Sequence, residues 1–122
     1  MMQKRILVIE DNDDNRRIVR DLLTSAGYEV IEAVTGSGGV TAAETQDPEL
    51  ILMDIQLPDF DGYEATRRIK ANPTLSAIPI IAVTSYALSG DDVKAFEAGC
   101  DAYVTKPFSP RELLAKIREY LQ

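Results

Sequence analysis

The sequence contains no histidine and only one cysteine among its 122 residues. Without histidine the chain cannot carry a Ser-His-Asp or Cys-His catalytic centre, a histidine metal ligand or a phosphohistidine. A single cysteine, Cys100, cannot form an internal disulfide and supplies too few thiolates for a zinc or iron-sulfur site. We therefore interpret Cys100 as a small apolar packing residue rather than a redox centre.

Clustered basic residues and long hydrophobic runs are also missing. The chain has 13 Lys+Arg against 20 Asp+Glu, a net charge of -7, so a nucleic-acid backbone would be repelled. The longest apolar runs, such as residues 78–83, are far shorter than a bilayer span, and no signal-peptide core opens the chain. These absences predict a cytoplasmic protein that binds neither nucleic acid nor membrane.

The length predicts one domain that occupies residues 1–122 and has room for a single core. Apolar residues make up 45% of the chain and charged residues 27%, as in folded globular proteins. No linker, repeat or low-complexity segment divides it. We therefore expect any output to come from the surface of this domain.

Short apolar runs alternate with amphipathic stretches about every 20 to 25 residues, which predicts five β-α units. The predicted strands are Arg5–Ile9, Glu29–Ala33, Leu50–Met53, Ile80–Val83 and Ala102–Val104. The predicted helices cover about 14–26, 36–45, 61–72 and 89–98, with a fifth after Ser109. The third and fourth strands are nearly continuous aliphatic runs, typical of parallel strands covered on both faces. The expected fold class is α/β, a doubly wound (βα)5 fold with a five-stranded parallel sheet.

Glycines affect three of the helix predictions. Gly27 and Gly99 predict left-handed caps at the ends of the first and fourth helices. Three glycines, Gly36, Gly38 and Gly39, lower the helix propensity of the second helix. We expect that helix to be short or mobile.

Apolar spacing predicts which helix faces are buried. The fourth helix is expected to turn Val93 and Phe96 inward. The fifth has the clearest start, with Ser109 as cap, Pro110 at the first position and Glu112 completing a capping box. Its predicted buried stripe consists of Leu113, Leu114, Ile117 and Leu121.

Polar side chains follow the carboxyl ends of four predicted strands. These residues are Glu10 and Asp11 after the first strand, Asp54 after the third, Thr84 after the fourth and Lys106 beyond the fifth. In an open parallel sheet, ligands bind at this edge, where the strand order reverses. The sequence therefore predicts that three carboxylates, a hydroxyl and an ammonium converge there.

Such a cluster favours a hard cation. Three carboxylates at one edge repel one another, and Mg²⁺ prefers oxygen ligands, including those of phosphate. Asp54 ends a buried strand and could form an acyl phosphate directly, with Lys106 and Thr84 contacting the phosphoryl group. Structural alternatives stay open for each residue: residues 10–14 as an acidic helix start, Asp54 as a solvated strand end, Thr84 as a β-forming residue that closes its strand, and Lys106 as a surface lysine. We expect Asp59 and Asp61 to make the turn and helix cap before the third helix rather than to bind metal.

Together these residues resemble the receiver domain of bacterial two-component response regulators, along the full length of the chain. The motifs that carry the resemblance are Glu10-Asp11-Asn12, residues 52–58 followed by Asp61-Gly62, Thr84, Tyr103 and Lys106-Pro107-Phe108. The resemblance implies a flavodoxin-like strand order of 2-1-3-4-5. It also implies a Lys106-Pro107 peptide that is usually cis.

The resemblance assigns a role to each site residue. It implies that Asp54 accepts the phosphoryl group and, with Asp11 and the backbone carbonyl of Gln56, coordinates Mg²⁺ or, alternatively, Mn²⁺. Glu10 would act through metal-bound water. Thr84 and Lys106 would bind the phosphoryl group, and Tyr103 would be the switch aromatic. The residues implied to tune the rate of dephosphorylation are Gln56, Ser85 and Tyr86.

The implied function is a phosphorylation-dependent signalling switch in a two-component phosphorelay. The implied phosphoryl donor is a sensor histidine kinase or a histidine phosphotransfer protein. The output face would be the fourth helix, fifth strand and fifth helix, and its target a second copy of the chain or a downstream protein. The chain would be an enzyme only in assisting its own phosphorylation and dephosphorylation.

Alternatives to a stand-alone switch stay open at this point. The chain could be a receiver domain excised from a hybrid sensor kinase. A metal-dependent aspartyl-phosphate phosphohydrolase would need an acid two residues beyond Asp54, where the sequence has Gln56. A pseudo-receiver without chemistry would be expected to lack some of Glu10, Asp11, Asp54 and Lys106, and all four are present.

Overall fold

Five β-α units follow one another along the chain, as the sequence pattern predicts. The computed structural model describes residues 3–84 and 91–121. The strands are β1 (Arg5–Ile9), β2 (Glu29–Ala33), β3 (Leu50–Asp54), β4 (Ile80–Thr84) and β5 (Ala102–Thr105). The helices are α1 (Asp13–Ser25), α2 (Gly36–Gln46), α3 (Gly62–Ala71), α4 (Asp91–Ala98) and α5 (Pro110–Tyr120). β3 and β4 each end one residue later than predicted, so Asp54 and Thr84 are the last residues of their strands.

The strands form one parallel sheet in the order β2-β1-β3-β4-β5, which confirms the predicted topology. The order reverses between β1 and β3, whose carboxyl ends lie side by side. Ile9 is the register partner of Met53, so Glu10 and Asp54, the next residues along, lie at the same edge. This edge is where an open α/β sheet offers a ligand site.

Helices cover both faces of the sheet, and β3 illustrates the two cores. Ile51 and Met53 pack in the cluster beneath α2, α3 and α4, while Leu50 and Leu52 pack in the cluster beneath α1 and α5. All four side chains are 3% exposed or less. Burial on both faces explains why the strand is aliphatic at every position before its terminal aspartate.

Side-chain caps and left-handed glycines set the helix ends. Asn12, Asp61 and Ser109 begin α1, α3 and α5, and each side chain accepts a hydrogen bond from the backbone N–H three residues on. Capping of this kind satisfies N–H groups that have no partner inside the helix. Gly27 and Gly99 follow α1 and α4 with φ of 93° and 113°. The predicted caps at Asp61, Ser109, Gly27 and Gly99 are confirmed.

The second helix is not short, which corrects the prediction. α2 is a regular helix of 11 residues. Its glycines serve close packing: a Cβ on Gly39 would overlap the buried side chain of Ile9, and one on Gly36 would lie 2.6 Å from the ring of Phe60. The residue type that lowers helix propensity therefore lets α2 approach the sheet and the loop after β3.

The prediction that Val93 and Phe96 point inward is wrong. Both side chains are 51% exposed, whereas Ala95 and Ala98 are 0% and 5% exposed. At 3.6 residues per turn, the two alanines lie about half a turn away from Val93 and Phe96. Small residues let α4 lie close to the sheet, so its larger apolar side chains face outward. The predicted start at Ser89 lies outside the described residues.

α5 buries the predicted stripe. Leu113 and Ile117 are fully buried, Leu121 is 8% exposed, and Leu114 packs against the same cluster. Within residues 3–84 and 91–121, the structure has no helix whose length and apolar character would let it cross a membrane.

Candidate functional site

Three carboxylates meet at the carboxyl edge of β1 and β3. Glu10, Asp11 and Asp54 each place a carboxylate oxygen within 4.8 Å of the other two. Glu10 and Asp54 are both 5% exposed, whereas Asp11 is exposed. The cluster therefore has two buried members and one that opens to solvent.

Lys106 completes the cluster from the end of β5. Its Nζ donates a hydrogen bond of 2.9 Å to Oε1 of Glu10 and lies 3.6 Å from Oδ1 of Asp54. The backbone N–H of Lys106 donates to the carbonyl of Thr84 at 2.7 Å, which ties the loop after β5 to the end of β4. The Lys106-Pro107 peptide is cis, as the resemblance implies.

Burial and neighbouring charges shift the pKa values of the two buried carboxyl groups in opposite directions. Burial and the neighbouring Glu10 carboxylate raise the pKa of Asp54 to about 7, although Lys106 opposes the rise. Burial also raises the pKa of Glu10, but the hydrogen bond with Asp54 and the Lys106 ammonium outweigh it and leave that pKa below its usual value. One ammonium does not offset the negative charge collected at this edge.

Backbone N–H groups hold the loops that carry the acids. The N–H of Asn12 donates to Oε2 of Glu10 at 3.2 Å, and the N–H of Gln56 donates to Oδ1 of Asp54 at 3.2 Å. α3 begins so close to the end of β3 that a Cβ on Gly62 would overlap the carbonyl oxygen of Asp54. Packing around Asp54 thus leaves the strand end little room to move.

Thr84 and Tyr103 lie where the strands place them. Thr84 is 1% exposed and ends β4. The residue before it, Val83, is the register partner of Asp54, so Thr84 lies beside Asp54. Tyr103 lies in β5, half-buried, and packs with the cluster on the α4 side of the sheet. The sheet brings Thr84 to the acidic edge as predicted. Ser85 and Tyr86 lie outside the described residues.

Asp59 lies in the bend before α3, as expected, and also binds the start of α2. Its carboxylate accepts hydrogen bonds from the backbone N–H groups of Gly36 and Ser37 at 2.8 and 2.9 Å, and so helps to cap α2. These hydrogen bonds hold the pKa of the Asp59 carboxyl group below its usual range, and the one from Ser37 contributes most. The partners are more than 20 residues away in sequence, so no local signal could have indicated them.

Arg16 is a residue that the sequence reasoning missed. Its guanidinium donates to the backbone carbonyl of Glu10, to Asp13 and to Glu32. In the sequence it reads as one of several charged residues on α1. Cys100, by contrast, is the packing residue predicted: it is 5% exposed, and burial raises the pKa of its thiol.

The donor set suits a hard divalent cation. Three carboxylate oxygens converge, the described part of the cluster holds no nitrogen or sulfur ligand, and Asp11 leaves one side open to water. Burial and the Glu10 carboxylate raise the pKa of Asp54, so a cation at this position would favour its ionised form. Oxygen ligands with open positions are what Mg²⁺ and Mn²⁺ prefer.

A cavity of about 360 Å³ adjoins the cluster on the side of α1 and α5. Asp54, Glu10 and Lys106 form its polar wall. The rest is largely apolar and includes Ile18, Val19, Leu52, Pro107, Phe108 and Leu113. Ile18 is 62% exposed, so an apolar side chain stands at the surface next to the buried carboxylates.

Comparisons with known proteins agree on one family. The family described as "Response regulator receiver domain" matches residues 6–118. The chain is 41% identical over 120 residues to the polar-differentiation response regulator DivK of Brucella ovis, covering 98% of each chain.

Solved structures of other receiver domains share the fold of this chain. The receiver domain of sensor histidine kinase PA1611 from Pseudomonas aeruginosa PAO1 is 39% identical with a TM-score of 0.91, covering 98% of each chain, and its structure has a magnesium ion coordinated in the active site cleft. A CheY-like response regulator receiver domain protein from Methanospirillum hungatei JF-1 is 38% identical with a TM-score of 0.88, covering 97% of this chain and 93% of that one.

Proposed function

This chain belongs to the response regulator receiver family, and we propose that it accepts a phosphoryl group from a phosphohistidine donor onto Asp54 as a single domain over residues 1–122. Receiver domains of response regulators are signalling switches that interact with histidine kinases or phosphotransfer proteins. The observation that carries the proposal is the position of Asp54, buried at the end of β3 beside two carboxylates and the Lys106 ammonium.

In the proposed reaction, a carboxylate oxygen of Asp54 attacks phosphorus. The new O–P bond forms as the P–N bond to the donor imidazole breaks, and the bonding electron pair stays on that ring nitrogen; a proton on the other ring nitrogen of the donor lets the ring leave as neutral imidazole. Lys106 draws negative charge from one phosphoryl oxygen, and the Thr84 hydroxyl donates a hydrogen bond to another. Phosphorylation requires the ionised form of Asp54, which its raised pKa opposes in the metal-free state.

The metal ligands we propose are Asp11, Asp54 and the backbone carbonyl of Gln56, with Glu10 acting through bound water. Mg²⁺ or Mn²⁺ at these oxygens would supply the positive charge that offsets the carboxylates and the phosphoryl oxygens. Lys106, which directly follows β5, contacts Glu10 and Asp54 and supplies a second positive charge at the site.

Two further residue sets complete the proposal. Gln56, Ser85 and Tyr86 tune how fast the acyl phosphate is hydrolysed, and Gln56 stands where a phosphohydrolase would need an acid.

The donor protein docks over the cavity between α1 and the loop after β5, which is lined by the exposed Ile18 and by Asp54. An apolar contact there would exclude water from the phosphoryl group in transfer.

The output face we propose is α4, β5 and α5. Thr84 and Lys106 are joined by a backbone hydrogen bond, so their movement toward a phosphoryl group would be shared by the ends of β4 and β5. Tyr103 packs on the α4 side and would follow. The exposed Val93 and Phe96 give this face an apolar patch that a second copy or a downstream protein could cover.

The phosphorylation proposal is tested by intact-mass analysis. After incubation with a small-molecule acyl phosphate and Mg²⁺, the protein is expected to gain one phosphoryl group in a base-labile adduct. A chelator should prevent the adduct, because the charge of the acidic cluster would then be uncompensated. An adduct that forms equally well with chelator present would contradict the metal-assisted mechanism.

The switch proposal is tested by amide exchange with beryllofluoride, which mimics the acyl phosphate. With Mg²⁺ and beryllofluoride bound, exchange is expected to change in β5 and α4 and to stay constant in β2, the strand at the far edge of the sheet. Full occupancy with no change in β5 or α4 would sink the switch proposal, even if Asp54 is phosphorylated.

A further inference from the structure

Arg16, in the first turn of α1, connects three separate segments through one guanidinium group. NH1 donates to the backbone carbonyl of Glu10 at 3.0 Å, NH2 to Oδ1 of Asp13 at 2.6 Å, and Nε to Oε1 of Glu32 at 3.1 Å. Its side chain is only 16% exposed. A surface arginine in an ordinary helix pair has neither this burial nor this number of partners.

The bond to Glu10 concerns the turn that presents the acids. This turn, residues 10–12, leads from β1 into α1, and the N–H of Glu10 is already bound to the carbonyl of Ala33 at 3.0 Å. Arg16 binds the carbonyl of the same residue. Glu10 is therefore fixed on both backbone sides, by β2 through its N–H and by α1 through its carbonyl.

Glu32 anchors the guanidinium group of Arg16 to the sheet. It lies in β2, in register with Val8 of β1, and accepts from Arg16 and from Arg20. The planar fork of an arginine can satisfy a carboxylate on the sheet and a carbonyl in the turn at once, which the single ammonium of a lysine cannot reproduce.

We propose that Arg16 is a positioning residue for the metal site, holding the turn of residues 10–12 so that the carboxylates of Glu10 and Asp11 face Asp54. The inference rests on the proposed metal site and deepens it. In this role Arg16 is not a ligand of the metal or the phosphoryl group, and it acts through the backbone carbonyl of Glu10.

Charge and position predict opposite effects on metal affinity. Loss of a positive charge near a cation site should strengthen Mg²⁺ binding, because one repulsive partner is gone. Loss of a group that holds the ligands in place should weaken it. The direction of the change therefore separates a positioning role from a purely electrostatic one.

Arg17 is the matched control. It is the next residue in the same helix, its side chain is 63% exposed, and the structure gives it an ion pair of 3.5 Å with Asp14. Arg17→Gln removes the same charge from the same turn and leaves the carbonyl of Glu10 bound. It should leave the Mg²⁺ dissociation constant unchanged or slightly lower.

The test is titration of the metal-free protein with Mg²⁺, followed by amide chemical shifts, together with apo melting temperatures. Arg16→Gln is expected to raise the dissociation constant about tenfold, the low end of what supporting residues contribute. Arg16→Lys, which keeps the charge and most of the stem, should also raise it, and Glu32→Gln should raise it less than Arg16→Gln does.

Each outcome decides one of the two proposals. If the wild-type protein shows no Mg²⁺ binding, the proposed function fails. If the wild-type protein binds and both Arg16 variants bind as tightly as the Arg17 variant, the positioning role is overturned. An Arg16→Gln variant too unstable to titrate leaves Arg16→Lys and Glu32→Gln to decide, and unchanged affinity in both would overturn it as well.

Discussion

Replacing Asp54 by Asn should abolish acyl-phosphate formation. The amide oxygen of Asn is not an anionic nucleophile, and in the described structure Asp54 is the buried carboxylate that ends a strand between β1 and β4. Incubation with a small-molecule acyl phosphate and Mg²⁺ should give an adduct in the wild-type protein and none in Asp54→Asn, as read by intact mass.

Asp61→Asn is the control for this substitution. It makes the same chemical change seven residues further on, and Asn caps a helix about as well as Asp does, so α3 should keep its start. The adduct should persist in this variant. An equal mass gain in the wild-type protein and in Asp54→Asn would remove Asp54 from the role of nucleophile.

The same Asp54→Asn substitution should stabilise the metal-free domain. Asp54 has an ordinary pKa of 3.8 and a folded-state pKa of about 7, so its ionisation opposes folding at neutral and higher pH. Because each pKa difference of one corresponds to about 1.4 kcal/mol, the amide should add about 2 to 4 kcal/mol above pH 7. The melting temperature should rise on the order of 10 °C.

The stability difference between the Asp54→Asn variant and the wild-type protein should depend on pH. Between pH 3.8 and about 7 the folded state holds the Asp54 proton and the unfolded state has lost it, so wild-type stability falls as the pH rises through this window. The amide that replaces the carboxyl group in the variant would not titrate. The advantage of the variant should therefore be absent near pH 4, grow toward pH 7 and level off above it.

Melting curves by circular dichroism at several pH values would measure this advantage. Asp21→Asn serves as the control, since that side chain is 72% exposed and should show little change. Added Mg²⁺ should narrow the gap, because it stabilises the wild-type cluster more than the variant. A variant that melts below the wild-type protein at pH 8 without metal would contradict the account of Asp54.

The fold and the central site were predictable because they depend on short-range patterns. The aliphatic run from Ile51 to Met53 indicates a strand buried on both faces, and carboxyl ends of parallel strands meet at one edge. Glu10, Asp54 and Thr84 therefore come together although they are far apart in sequence. The strand order was not readable from the pattern and came from the resemblance.

Other features depend on contacts that local sequence does not encode. Hydrophobicity alone favours Val93 and Phe96 over Ala95 as core residues. Ala95 is buried instead, because only a small side chain fits where a helix lies close to a sheet. Asp59 and Arg16 bind backbone groups of other segments. Nothing in the neighbouring residues specifies those partners, so charge patterning assigns both residues to an ordinary turn or helix surface.

The contact between Gly62 and the end of β3 restricts how this chain can diverge. A methyl group on Gly62 would meet the Asp54 carbonyl oxygen and lie 2.8 Å from the Cα of Ile55. Both are backbone atoms, which cannot rotate away as a side chain could. Any residue other than glycine at position 62 would therefore have to shift the strand end that carries Asp54, although Gly62 itself has no reactive group.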